Sequence, residues 1–117
     1  MRVLHIVGGP LKFGASQGSN ILHEALLKLG VESKLLNDSP SKKIKINQNT
    51  SYINEDFLSK ILSFFFVNYE KILKSFYFKR SKEIFTLGFT GFDITKTTEY
   101  KNSDIIHIHW INQGFIS

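Results

Sequence analysis

Apolar residues in this chain come in two kinds of run. Val3 to Val7 is short and almost unbroken, Val-Leu-His-Ile-Val, and Gly8 and Gly9 close it. Such a run, bounded by glycine, predicts a buried strand. Gly8 to Gly18 holds four glycines and reads as a loop. The pattern then changes period. Ile21, Leu22, Ala25, Leu26 and Leu29 recur at i, i+1, i+4, i+5 and i+8, which predicts one apolar helix stripe. Ser19 or Asn20 suits the N-cap of that helix, and Gly30 suits the residue that ends it. Val31 to Asn37 predicts a second strand with Leu35 and Leu36 as its core. Asp38-Ser39-Pro40 stops it. A strand, a glycine loop, a helix and a strand in that order argue for an α/β sheet with a crossover connection.

Residues 41–54 are polar and rich in Lys and Asn, and read as a loop with a short strand at Lys43 to Ile46. Asp56 to Arg80 predicts a long helix. Its apolar positions include Phe57, Leu58, Ile61, Leu62, Phe65, Tyr69, Ile72, Leu73 and Phe76. Phe64, Phe66, Tyr77 and Phe78 widen that face, and Lys60, Lys71, Lys74, Lys79 and Arg80 line the rest. Glu83 to Leu87 reads as a short strand and Gly88 to Lys101 as a loop. Asp104 to Trp110, rich in β-branched residues, predicts a last buried strand. No repeat or second domain is visible. A doubly wound sheet needs more strands and helices than these to cover both faces. The expectation is therefore an N-terminal piece of a larger unit.

Composition narrows the chemistry. The chain has 117 residues, 14% of them aromatic, enough to bury a core. It contains no cysteine, which excludes disulfides, thiolate-bound zinc and a thiol nucleophile. The formal net charge of +5 favours acidic partners such as nucleotide phosphates or anionic lipid. The basic residues are dispersed and no aromatic platform motif accompanies them, so nucleic acid is not expected. No apolar run is long enough to span a membrane, and Val3 to Val7 is too short for a signal sequence. A cytoplasmic location is expected.

Two constellations are candidates for chemistry. The first is the glycine loop, where small residues let backbone approach a phosphate beside a helix N-terminus. Gly9, Gly14, Ala15 and Ser16 have the spacing of a P-loop, but the required lysine is missing. Asp38 lies twenty residues after Gly18, as a dinucleotide fold would want, but the glycine spacing of that fingerprint fails. The second is His107-Ile108-His109-Trp110-Ile111-Asn112. Strand alternation puts His107 and His109 on one side, with His109 at the carboxyl end where ligands gather. His5 and His107 are expected in the core and His23 in solvent. A zinc pair lacks an evident third ligand, so no metal is expected.

The opening, Val3 to Pro10 with Gly14-Ala15 and Leu22 to Gly30, resembles the start of family-four glycosyltransferases. Gly91 to Lys96 and Asp104 to Ser117 resemble the D-I-I-H-x-H-W-I-N-x-G-F stretch of bacterial polysaccharide glycosyltransferases. Residues 41–80 carry no such likeness. The resemblance implies an incomplete Rossmann-like, doubly wound parallel sheet, the N-terminal domain of a GT-B fold. It implies sugar transfer with retention from a nucleotide-sugar donor to a saccharide or lipid-linked acceptor, with no cofactor or metal. The nucleotide, UDP or GDP, stays open. By the same resemblance Gly9, Gly14 and Ala15 lie near donor phosphates and acceptor. His109 stands beside the transferred sugar as the catalytic residue, and Trp110 and Asn112 line the cleft.

Two departures qualify the likeness. Phe13 stands where the family commonly has glycine, and the donor domain with its paired glutamates has no counterpart here. The chain alone is therefore expected to be inactive. Two alternatives remain open. One is a basic module that sits on anionic membrane through the aromatic helix. The other is an NAD(P)-binding domain dependent on Asp38. The bland role for the aromatic helix is to complete the core.

Overall fold

The structure is a computed structural model that describes residues 1–11, 14–38, 49–53, 57–77, 90–111 and 116. Four strands form one sheet: β1 (Arg2–Val7), β2 (Glu32–Asn37), β3 (Thr50–Tyr52) and β4 (Ile105–Ile108). Their order is β3-β2-β1-β4, and every pairing is parallel. The helices among the described residues are α1 (Gly14–Lys28), α2 (Phe57–Tyr77), a 3-10 turn at Ile94–Lys96 and α3 (Thr98–Lys101). The fold is thus α/β with an all-parallel sheet, compatible with a Rossmann-like arrangement.

The sheet has two faces with different chemistry. On one face Leu4, Ile6 and Leu36 are buried together with Ile94, and Ile53, Tyr100, Ile106 and Ile111 pack against them. This is the ordinary hydrophobic layer, and it is where β1 earns its apolar run. On the other face Val7, Leu11 and Leu35 form a smaller apolar cluster. Beside it lie buried polar groups, His5, Ser33 and Asn37 from the strands and Ser16, Ser19 and His23 from α1.

Helix α1 therefore sits on the sheet the other way round from its sequence pattern. Ile21, Leu22 and Leu29 are exposed, the last at 78%, while His23 is 1% exposed. The expectation that His23 is solvated is corrected. Its Nδ1 lies 2.7 Å from Ser33 Oγ of β2, so a hydrogen bond between α1 and the sheet holds the ring inside. The helix also begins at Gly14, so Ser19 and Asn20 are interior residues rather than caps. Its end is as expected. Gly30 has φ +76°, Val31 N–H donates to Leu26 O, and Gly30 N–H donates to Leu27 O. These two bonds satisfy carbonyls that the helix end would leave bare.

The strand from Val31 to Asn37 and the strand within Asp104 to Trp110 are present with trimmed ends, but the second, expected to be buried, is corrected: Ile105, His107 and Ile108 are exposed on the edge of the described sheet. β3 falls where the sequence reads as a loop. It gives Leu35, Leu36 and Asn37 of β2 a second strand partner through the register Leu35↔Thr50, Leu36↔Ser51 and Asn37↔Tyr52. The turn at Ile94–Lys96 and α3 likewise replace an expected loop. Asp93 caps the first through Thr95 N–H, and Thr97 caps the second through Tyr100 N–H. The expected strands at Lys43 to Ile46 and Glu83 to Leu87 lie outside the described residues.

The start of β1 is tied to the start of β4. Asp104 accepts from the Arg2 backbone N–H at 2.8 Å and from its guanidinium at 2.9 Å. That pairing holds the Asp104 carboxyl below the usual carboxylate range. At the far end Gly8 N–H donates to Trp110 O and His109 N–H to Ile6 O, which extends the β1–β4 ladder to the carboxyl edge.

Helix α2 stands out from the sheet with an exposed apolar face. Phe57, Leu58, Leu62, Phe64, Phe65, Tyr69, Ile72 and Phe76 are all exposed. The expectation that these aromatics complete the core is corrected for those residues. The opposite side packs inward. Phe66 meets Phe92 edge to face at 5.6 Å, and Glu70 is 2% exposed beside Lys74 at 3.8 Å.

Candidate functional site

The site lies at the carboxyl edge of the sheet, where parallel strands and their following loops open a crevice. Gly8, Gly9, Pro10, Gly14, Ala15, Ser16 and Trp110 line a cleft of about 310 Å³ there. The fold thus brings together Gly9, Gly14, Ala15 and Trp110, four positions expected to bind substrate. Trp110 is half exposed and forms one wall. Asn112 and Phe13 lie outside the described residues.

Side chains behind the start of the glycine loop anchor it at Val7, Gly8 and Gly9. Ser16 Oγ donates to Gly8 O at 2.7 Å. Asn37 Nδ2 donates to Val7 O at 2.8 Å and to Gly9 O at 2.9 Å. Gly9 N–H donates to Asp38 Oδ1 at 2.7 Å. Gly9 has φ +82°, and a Cβ there would sit 3.7 Å from Ser16 Oγ. Glycine is needed for the backbone conformation rather than for space. The amides of Gly8 and Gly9 are both engaged, to Trp110 O and to Asp38, so neither is a free phosphate donor. Any anion in the cleft would meet the first turn of α1, Gly14 to Ser16, instead. Burial pushes the Asp38 carboxyl up, and the Gly9 N–H opposes that shift. Asp38, which the dinucleotide reading would aim at a ribose, is turned onto the loop.

Behind the cleft lies a cluster of all four histidines of the chain. The register β1–β4 pairs His5 with His107, and His109 follows two residues on. His5 is fully buried, as expected. Its Nδ1 lies 3.2 Å from His109 Nε2. Ring centroids are 5.4 Å apart for His5–His107 and for His5–His109, and 4.1 Å for His107–His109. His23 approaches His5 from α1 at 6.0 Å. His107, expected in the core, is exposed, because β4 is the edge strand of the described sheet. His109 is half-buried just past the end of β4, where the sequence places it.

Three imidazoles of the cluster are pushed toward the neutral form. Burial, then the neighbouring His109, His107 and His23, push His5 down to about 4. Burial and then His107 lower His109. Burial also lowers His23, with Glu24 opposing. A neutral imidazole at His109 can donate from one nitrogen and accept at the other. That suits hydrogen bonding to a hydroxyl-rich ligand. The expectation that no third imidazole joins the His107–His109 pair is corrected, since His5 stands beside both.

The sequence reading finds the cleft residues and His109 but not what supports them. Asn37 has no signal beyond its polarity, and Ser16 and Asp38 enter the sequence reading only through motifs that fail. The grouping of His5 and His23 with the H-x-H strand depends on register and helix rotation. No protein-family model, curated protein or solved structure matches this chain.

Proposed function

We propose that the chain forms the acceptor-side domain of a retaining GT-B glycosyltransferase that acts with a nucleotide-sugar donor. The observation that carries this reading is the cleft at the carboxyl edge, walled by Gly9, Gly14, Ala15 and Trp110. His109, next to Trp110 in the chain, is the group we assign to the transferred sugar. Its role is to hydrogen-bond the sugar and to stabilise charge as the donor bond breaks. The glycine loop and α1 shape the acceptor entrance. Turnover requires a donor-binding domain that handles the nucleotide.

The test is an NMR titration of the isotope-labelled chain with a polyprenyl diphosphate-linked saccharide and, separately, with UDP- and GDP-sugars. Acceptor binding is expected to shift the amides of Gly9, Gly14, Ala15 and Trp110. Shifts that avoid those four positions overturn the reading.

A second reading is favoured by α2. Its apolar face is solvent-exposed, with Lys60 and Lys71 also exposed on the same helix. No helix among the described residues is long and apolar enough to cross a membrane. A helix of this kind lies in the interface of an anionic bilayer, apolar side down and lysines at the headgroups. Lipid-linked acceptors would make the two readings compatible. Co-sedimentation with phosphatidylglycerol vesicles tests it, and equal recovery in the supernatant with and without vesicles rejects it.

A further inference from the structure

The chain has four histidines and no cysteine, and the fold gathers every one of those histidines into one cluster. We propose that His5, His107 and His109 form a binding site for one borderline divalent transition-metal ion of the zinc class. Three imidazoles hold the ion and a fourth position faces solvent.

Geometry supplies the first argument. β1 and β4 are parallel neighbours in register, so His5 and His107 project from the same side. His109 lies two residues further along that side. One nitrogen from each of the three lies within 4.8 Å of the other two. A tetrahedral ion with bonds of 2.0–2.1 Å needs ligand nitrogens about 3.3 Å apart. The His5–His109 pair is already at 3.2 Å, so only the His107 ring has to swing inward. That residue is exposed on the edge strand of the described sheet.

Donor chemistry supplies the second. Coordination of the His5 ring through one nitrogen fixes which of its nitrogens carries the proton, as metal-bound imidazoles require. The three ligands are all nitrogen, which favours zinc, copper or nickel over calcium and magnesium.

Support and access supply the third. His5 is anchored on an interior strand, and His23 backs onto it, itself oriented by Ser33. His107 and His109 are solvent-accessible, so an ion can enter from outside. Three protein ligands with one open position is the pattern of a site that takes water or a ligand as its fourth partner. The inference does not rest on the transferase reading. A bound ion would occupy the His109 nitrogen that reading assigns to the sugar, so metal and sugar would compete.

The experiment uses the full chain without a histidine tag, stripped with chelator and titrated with zinc sulfate by calorimetry. Cobalt chloride is the spectroscopic probe. One equivalent of zinc is expected to bind, with strong visible bands from low-coordinate, nitrogen-ligated cobalt. His107→Ala and His109→Ala are each expected to weaken zinc binding by more than about 100-fold, beyond the 10–100-fold loss typical of an outer partner. His5→Ala removes a fully buried group and can unfold the chain, so the other two variants carry the test. Absence of stoichiometric uptake overturns the proposal. So does zinc binding of unchanged affinity in His107→Ala. Neither result depends on donor or acceptor, so failure here is separate from failure of the transferase reading.

Discussion

The amide of Gly9 donates to Asp38 Oδ1 at 2.7 Å, joining the loop after β1 to the end of β2 across 29 positions of sequence. The contact clamps the wall of the cleft from behind. Burial of the Asp38 carboxyl costs the fold something, pushing it up from its ordinary value of 3.8, and the Gly9 N–H offsets part of that. A carboxyl with a raised folded value binds protons more tightly folded than unfolded. Its penalty is present at neutral pH and fades as pH falls through the folded value toward 3.8. Asp38→Asn keeps an oxygen for the Gly9 N–H and removes the charge. It is expected to be more stable than the parent at neutral pH, with the difference shrinking in acid. Urea unfolding of both chains from pH 7 to pH 4 checks this. A difference that grows on acidification would contradict it.

Asn37 is the second clamp. It is fully buried and its amide donates to both Val7 O and Gly9 O. Asn37→Ala leaves two carbonyls without this donor. The expected loss is about 1–3 kcal/mol of stability. A companion effect is faster exchange of the Gly9 amide, measured by hydrogen exchange. Asn37→Asp should not rescue, because a carboxylate cannot donate to either carbonyl.

The inverted seating of α1 makes a paired prediction. His23 is buried against Ser33, while Ile21 is 60% exposed. Ile21→Ser is expected to change stability by no more than about 0.5 kcal/mol. His23→Ala leaves Ser33 without its bond and opens a void, at a cost of about 1–3 kcal/mol. Sequence periodicity alone would rank the two the other way. Thermal unfolding of both variants decides.

His109 is the residue on which the transferase reading depends most. Joined to the donor domain of a retaining GT-B enzyme, the chain is expected to support sugar transfer. His109→Ala should then lower the rate by about 10²–10³-fold, the loss usual for one group stabilising charge in a transition state. Transfer unaffected by that change removes His109 from the site.

What the sequence revealed follows from how local each feature is. β1, the end of α1 at Gly30 and the position of His109 each depend on a few adjacent residues. Apolar runs, glycine and strand alternation encode them directly. β3 did not show, because Thr50–Tyr52 is too short for an alternation signal and is placed by pairing with Leu35 to Asn37. The rotation of α1 did not show for a similar reason. Its apolar stripe is real, but Ser16 donates to Gly8 O and His23 meets Ser33 Oγ, and those partners lie outside the helix's own pattern. The histidine cluster joins position 5 to position 107 through strand register, which one sequence does not carry.

The exposed face of α2 separates two roles by two measurements. Phe65 and Ile72 lie on that face at 61% and 55% exposure. Were they core residues, truncation would cost about 2–5 kcal/mol each. Exposed as they are, Phe65→Ser and Ile72→Ser are expected to leave unfolding within about 0.5 kcal/mol of the parent. On an anionic bilayer the same side chains would be buried in the acyl boundary, at about 1.5–3 kcal/mol apiece. The double variant should therefore keep its stability and lose vesicle binding by about 100-fold or more. Added salt should weaken the parent as well, since screening removes the lysine contribution. A variant that binds vesicles as the parent does would show that the stripe is not the contacting surface. A variant that unfolds would show that the stripe belongs to the core.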